Sequence, residues 1–230
     1  MDIGRPIPAT ATIDDPIWMP QLLQLAQNMM HLSARTKIIR RYTGLSEKRI
    51  NALYDAIKGP DNDSRKQRDR CTRPLRFVVP GQKGAKGGQT FILQSAVFAD
   101  VFIRMEAAVP EAPNRAWLLL AAFQAYREVI GPAQRALHLP EFSFNAAFDL
   151  MVAVGLHPPQ EGQTVRYGAQ LITCECPQCK TPKLVMIDAE PEEQPCAVCL
   201  IDSHRKRLPT FVNGPVDQGP SDKPADRAVG

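Results

Sequence analysis

The chain has 230 residues, 44% of them hydrophobic, enough for one large domain or two small ones around a packed core. No apolar run reaches the roughly 18 residues that a membrane span needs, and the opening MDIGRPIPATATIDDP lacks the apolar stretch of a secretory signal. The formal charge of +4 hides an asymmetry: Arg35 to Thr90 holds 15 Lys/Arg against 5 Asp/Glu, a net of +10 that leaves −6 for the rest. A cationic segment this concentrated suits phosphate-bearing partners, and it is equally what a solvated basic loop looks like.

Residues 1–20 carry Pro6, Pro8, Pro16 and Pro20 without periodic pattern and read as a flexible arm. From Gln21 the pattern turns helical. Leu22, Leu25, Ala26, Met29 and Met30 recur at i, i+3, i+4, i+7 and i+8, one apolar face. Over 35–58, RTKIIRRYTGLSEKRINALYDAIK, Gly44 interrupts one helix and Ser46 can cap the next. Glu47 follows that Ser by one residue rather than three, so the capping box is incomplete. Ile50, Leu53, Tyr54 and Ile57 form the apolar face of the second helix, and Gly59-Pro60 ends it.

Two short helices about a Gly-containing turn fit a helix-turn-helix-like unit over 21–60, and also a plain αα-hairpin. The basic surroundings favour the first, with Glu47, Lys48, Arg49 and Asn51 on the outward face. Arg40 departs from the pattern, because such units carry a small residue four places before the turn Gly.

A basic loop is predicted over 61–90, with RKQRDR, GQKGAKGGQ and a short strand at Leu75-Arg76-Phe77-Val78-Val79. GQKGAKGG lacks the residue order of a phosphate-binding P-loop, and Cys71 reads as a plain thiol. A helical bundle follows over 91–168. Val97, Phe98, Val101, Phe102 and Met105 mark one buried face. Trp117, Leu118, Leu119, Leu120, Phe123, Tyr126 and Val129 mark a central helix, and Phe142, Phe144, Phe148, Leu150, Met151 and Val154 a third that ends at Gly155. Pro110, Pro113, Gly131-Pro132 and Pro140 punctuate the three.

The most specific signal lies over 169–208. Cys176-Pro177-Gln178-Cys179 and Cys196-Ala197-Val198-Cys199 are two C-x-x-C pairs 16 residues apart, flanked by strand-like Ala169–Thr173 and Lys183–Ile187. Paired thiolates at this spacing point to one structural Zn2+ held by Cys176, Cys179, Cys196 and Cys199 in a zinc-ribbon-like module. A rubredoxin-like iron site uses the same ligands, and spacing does not separate the two metals. Without a secretory signal, the cysteines predict a reducing, cytoplasmic setting rather than disulfides. Cys174 is a fifth thiol that can compete as a ligand. A ribbon this small buries little core, so metal binding supplies its folding energy, on the order of 10–16 kcal/mol. His204-Arg205-Lys206-Arg207 gives the module a basic edge, and residues 209–230 read as a disordered tail.

The ordered landmarks GLSEKRINALYDAIKG, AWLLLAAFQAYR, LITCECPQCK, CAVC and the following RKRL resemble the FlhC family, the zinc-binding subunits of the bacterial flagellar master regulator. The resemblance runs from about Gln21 to Leu208. It implies zinc held by four cysteines and assembly with a small helical FlhD-like subunit as a hetero-hexamer on DNA. It further implies recruitment of RNA polymerase to flagellar promoters, or to transfer promoters in relatives on mobile elements. The longer, more basic segment over 61–90 and the extended N-terminal arm and C-terminal tail depart from the family pattern.

The fold class read from the sequence is therefore mainly α, a helical bundle with a helix-turn-helix-like unit before it and a four-cysteine module after it. The leading function is a DNA-binding transcriptional activator subunit. Arg35, Lys37, Arg40, Arg41, Lys48, Arg49, Arg205, Lys206 and Arg207 would meet the DNA, and Arg65, Lys66, Arg68 and Arg70 would widen its electrostatic footprint. The alternative is a zinc-ribbon protein-interaction scaffold. An enzyme is not expected, because the four histidines are scattered and no His-x-Glu pair stands beside the cysteines.

Overall fold

The computed structural model describes residues 15–58, 77–78, 88–109, 115–136, 138–139, 141–155, 168–190 and 196–199. These are mainly helical: α1 (Met19–His31), α2 (Thr36–Thr43), α3 (Glu47–Lys58), α4 (Gly88–Ala108), α5 (Arg115–Ala136) and α6 (Phe144–Val154). A single antiparallel hairpin follows, β1 (Leu171–Glu175) and β2 (Pro182–Met186). None of these helices is long and apolar enough to cross a membrane.

The five positions read as the apolar face of α1 are all buried. Helix α2 buries Ile38, Ile39 and Thr43 and stops at Gly44, whose φ of 70° is the left-handed conformation that closes a helix end. Its N–H returns to the Arg40 carbonyl at 3.0 Å. A Cβ at Gly44 would meet nothing within 4 Å, so the constraint is conformational rather than steric. Just beyond, Ser46 starts α3, its hydroxyl accepting from the Arg49 N–H at 3.4 Å. Leu45 and Ile50 are buried across this turn, while Leu53, Tyr54 and Ile57 pack half-buried against the core.

The core itself is aromatic. Phe98 of α4 meets Tyr126 of α5 edge-on at 5.8 Å and Phe142 at 5.6 Å, and Phe123 meets Phe144 at 5.3 Å. These are the spacings at which ring quadrupoles attract. Phe77 stacks on Phe91 at 5.9 Å and is buried with its neighbour Val78. The short strand expected here is not formed at these two residues, which make a turn. Adjacent buried side chains do not fit the alternation of a half-exposed strand.

Three other expectations need correcting. The buried face of α4 runs through Phe91, Ser95, Phe98, Ala99, Phe102 and Glu106, whereas Val97, Val101 and Met105 are only half-buried at its margin. Val129 is 67% exposed rather than part of a helix apolar all round. Gly131-Pro132 does not end α5, which continues to Ala136. Pro132 removes the donor for the Glu128 carbonyl, but both residues are exposed, so water can replace the lost N–H.

Two polar links fix how the helices meet. Asn145 at the start of α6 accepts from the Arg35 N–H at 2.8 Å and donates to the Ser33 carbonyl at 3.1 Å. It thereby clamps the α1–α2 turn, where Ser33 has φ 56°. One helical turn further on, Asp149 forms an ion pair with the Arg35 guanidinium. At the other end of the bundle, Glu106 in the last turn of α4 pairs with Arg115, the first residue of α5. Each charge alone would oppose its own helix dipole, and together they offset that penalty.

Replacing Asn145 with Ala should cost about 2–3 kcal/mol, because it removes two side-chain hydrogen bonds from a part-buried turn. Gly44→Ala should cost only about 1 kcal/mol, the price of a left-handed φ where space is open. Urea unfolding of both variants checks the order, and equal losses would refute this account of the turn.

Candidate metal centre

The hairpin register pairs Leu171 with Met186, Thr173 with Leu184 and Cys174 with Lys183. Leu171 and Leu184 belong to the same buried core as the helices, since β2 lies on α4 and β1 touches α4 and α6. The Gln170 N–H donates to the Ala153 carbonyl at 2.7 Å and ties the strand to the end of α6. The four-cysteine site thus grows out of the helical body.

Beyond β1 the chain turns through Cys176-Pro177-Gln178-Cys179. The turn closes by two bonds, Lys180 N–H to the Cys176 carbonyl at 2.9 Å and Cys176 N–H to the Thr181 carbonyl at 3.0 Å. Lys180 takes φ 59° to bring the chain back into β2. Cys196 opens a helical turn at 197–199 that ends in Cys199. The Sγ atoms of Cys176, Cys179, Cys196 and Cys199 all lie within 4.8 Å of one another. Cys176 faces Cys199 at 3.8 Å, and Cys179 faces Cys196 at 3.6 Å.

These distances test the fit. A tetrahedron with metal–sulfur bonds of about 2.3 Å has edges of about 3.8 Å. A disulfide would need about 2.05 Å, and all four cysteines are free thiols. Four thiols this close can therefore hold one metal ion, with thiolate as the sole donor type. Cys174 is not in the group. It lies half-buried on β1 opposite Lys183, which is itself buried.

Proton affinities within the cluster split between the knuckles. The Thr181 hydroxyl, 3.3 Å from Cys179 Sγ, and the Thr181 backbone N–H favour the thiolate and hold Cys179 down to about 6. The Cys179 backbone N–H lowers Cys176 in the same way. Cys199 is raised to about 12, first by sharing its proton with Cys179 and then by burial, and burial raises Cys196. The surroundings of the first knuckle thus favour thiolate more than those of the second. A divalent cation relieves the mutual repulsion and lets all four ionise.

The cations singled out in the sequence fall into three groups. Lys37, Arg40 and Arg41 are exposed on α2, and Lys48 and Arg49 on the first turn of α3. The Arg41 guanidinium also stands 5.8 Å from the Phe148 ring centre, a cation–π distance. Arg35 is different, since it is half-buried and its guanidinium is engaged by Asp149. Arg205, Lys206 and Arg207 lie outside the described residues, as do Arg65, Lys66, Arg68 and Arg70. Sequence reasoning missed Asp149 and Asn145. The available signal was one amide and one carboxylate, a helical turn apart, in the otherwise apolar FNAAFDLMVAV, where each needs a polar partner.

In comparisons with known proteins, no family model matches this chain and no curated protein matches its sequence.

Because hairpin and helices share one core, loss of the metal should lower the melting temperature of the helical signal as well as that of the hairpin. Cys176→Ser or a strong chelator should each produce this shift, read by circular dichroism beside elemental analysis. A helical transition that ignores the metal would show the module to be independent. Acidification should release the ion, because protonation of the thiolates competes with it.

Proposed function

We propose that the chain is a DNA-binding transcriptional activator subunit of the FlhC type. It would act as a heteromer with a helical FlhD-like partner and recruit RNA polymerase to flagellar or mobile-element transfer promoters. The observation that carries this reading is the cationic surface on either side of Gly44. Lys37, Arg40, Arg41, Lys48 and Arg49 are exposed on two short helices joined by a three-residue turn, with Ile39, Leu45 and Ile50 buried beneath.

On this reading α2, the turn and α3 form a helix-turn-helix-like unit. Lys48 and Arg49, in the first turn of α3, approach base edges, while Lys37, Arg40 and Arg41 neutralise phosphates. Arg40 is exposed, so it does not make the helix–helix contact that a small residue makes at that position in the usual unit. Arg35 is left out of the DNA contacts because Asp149 already engages its charge. The four cysteines take Zn2+ in a zinc-ribbon-like module. The metal supplies rigidity there and has no open position for substrate, so the site is non-catalytic. Arg205, Lys206 and Arg207 follow Cys199 closely in sequence and would extend the phosphate contacts.

The test is a salt titration of promoter binding by the complex with its partner. Alanine at Arg40, Arg41, Lys48 and Arg49 together should weaken binding at every sequence. It should also flatten the slope of log K against log salt by roughly 0.9 for each phosphate no longer neutralised. Arg205, Lys206 and Arg207 changed to Ala should flatten it independently, without lowering zinc content. An unchanged slope in both variants would overturn DNA binding and leave the protein-interaction scaffold as the better reading.

A further inference from the structure

We propose that the four-cysteine site is also a peroxide-sensitive latch, in which Cys179 reacts first and Cys196 resolves it across the gap between the knuckles. The inference rests on the metal reading of the four thiolates and not on DNA binding. Burial divides the four cysteines into two kinds: Cys179 is exposed and Cys199 half-buried, whereas Cys176 and Cys196 are only 3% and 5% exposed as residues. A dissolved oxidant therefore meets Cys179 first. The thiol across from it is Cys196 at 3.6 Å, in the other knuckle. Cys176, its sequence neighbour, is held by two backbone hydrogen bonds in the turn, and its sulfur lies 3.8 Å from Cys199.

The chemistry balances. One peroxide oxygen passes to the Cys179 thiolate, giving a sulfenic acid and hydroxide. The Cys196 thiolate then attacks the Cys179 sulfur, the sulfur–sulfur bond forms and a second hydroxide leaves. Solvent protons convert both hydroxides to water, and the sulfur pair loses the two electrons that the peroxide gains. To bond, the two sulfurs close from 3.6 Å to about 2.05 Å. Cys176 and Cys199 remain, too few thiolates to complete a tetrahedron. The new bond keeps residues 196–199 attached to the turn after β1, so oxidation exchanges a metal staple for a covalent one.

The experiment uses the full chain, purified in reductant, reconstituted with zinc and assayed for metal content. Hydrogen peroxide is then added in the presence of a chromophoric zinc chelator, remaining thiols are blocked, and disulfides are mapped by mass spectrometry. The expected result is about one zinc released per disulfide formed, with Cys179–Cys196 the dominant link. The same link should form in Cys174→Ser, because Cys174 stands outside the cluster. Dominant Cys176–Cys179 or Cys196–Cys199 links, any dominant link through Cys174, or retention of zinc under peroxide would overturn the latch while leaving the metal reading intact. A chain that takes up no zinc on reconstitution would overturn both.

Discussion

The orientation of the cationic surface depends on how α6 holds the start of α2. Asn145 bonds to both sides of the α1–α2 turn, and Asp149 holds the Arg35 guanidinium from the same helix face. A turn with a left-handed Ser33 has no covalent reason to keep one direction. Polar groups that cannot be left unpaired in a buried setting give it one. Tyr54 adds a third tie, its hydroxyl donating to the Ala34 carbonyl, so α3 is anchored to the same turn. The backbones of α2 and α3 are thereby tied to α6 through the α1–α2 turn.

The hairpin extends this logic to the other end of the chain. A free-standing module of this size must draw nearly all its stability from its metal. Here Leu171 and Leu184 enter the common core, and Gln170 bonds to the last turn of α6. The same helix that positions α2 thus supports β1. The four-cysteine site and the cationic helices are two attachments to one scaffold.

Much of this was legible in the sequence where local chemistry decides. The α1 stripe, the Gly44 stop, the Ser46 cap and the α6 end at Gly155 follow from periodicity and capping rules that act within a few residues. The cysteine cluster was legible because C-x-x-C spacing fixes geometry as well as chemistry. Exposure was harder. Val129 belongs to a hydrophobic pattern yet faces out, and Pro132 sits inside α5, because composition does not say which side of a helix meets its neighbours. Arg35 was the clearest loss. In the sequence it is one cation among many, and only the distant Asp149, 114 residues away, shows that its half-buried guanidinium is engaged within the fold.

The Glu106–Arg115 pair joins the last turn of α4 to the first residue of α5. Glu106→Arg combined with Arg115→Glu would keep an ion pair at this junction and put each charge at the helix end whose dipole favours it.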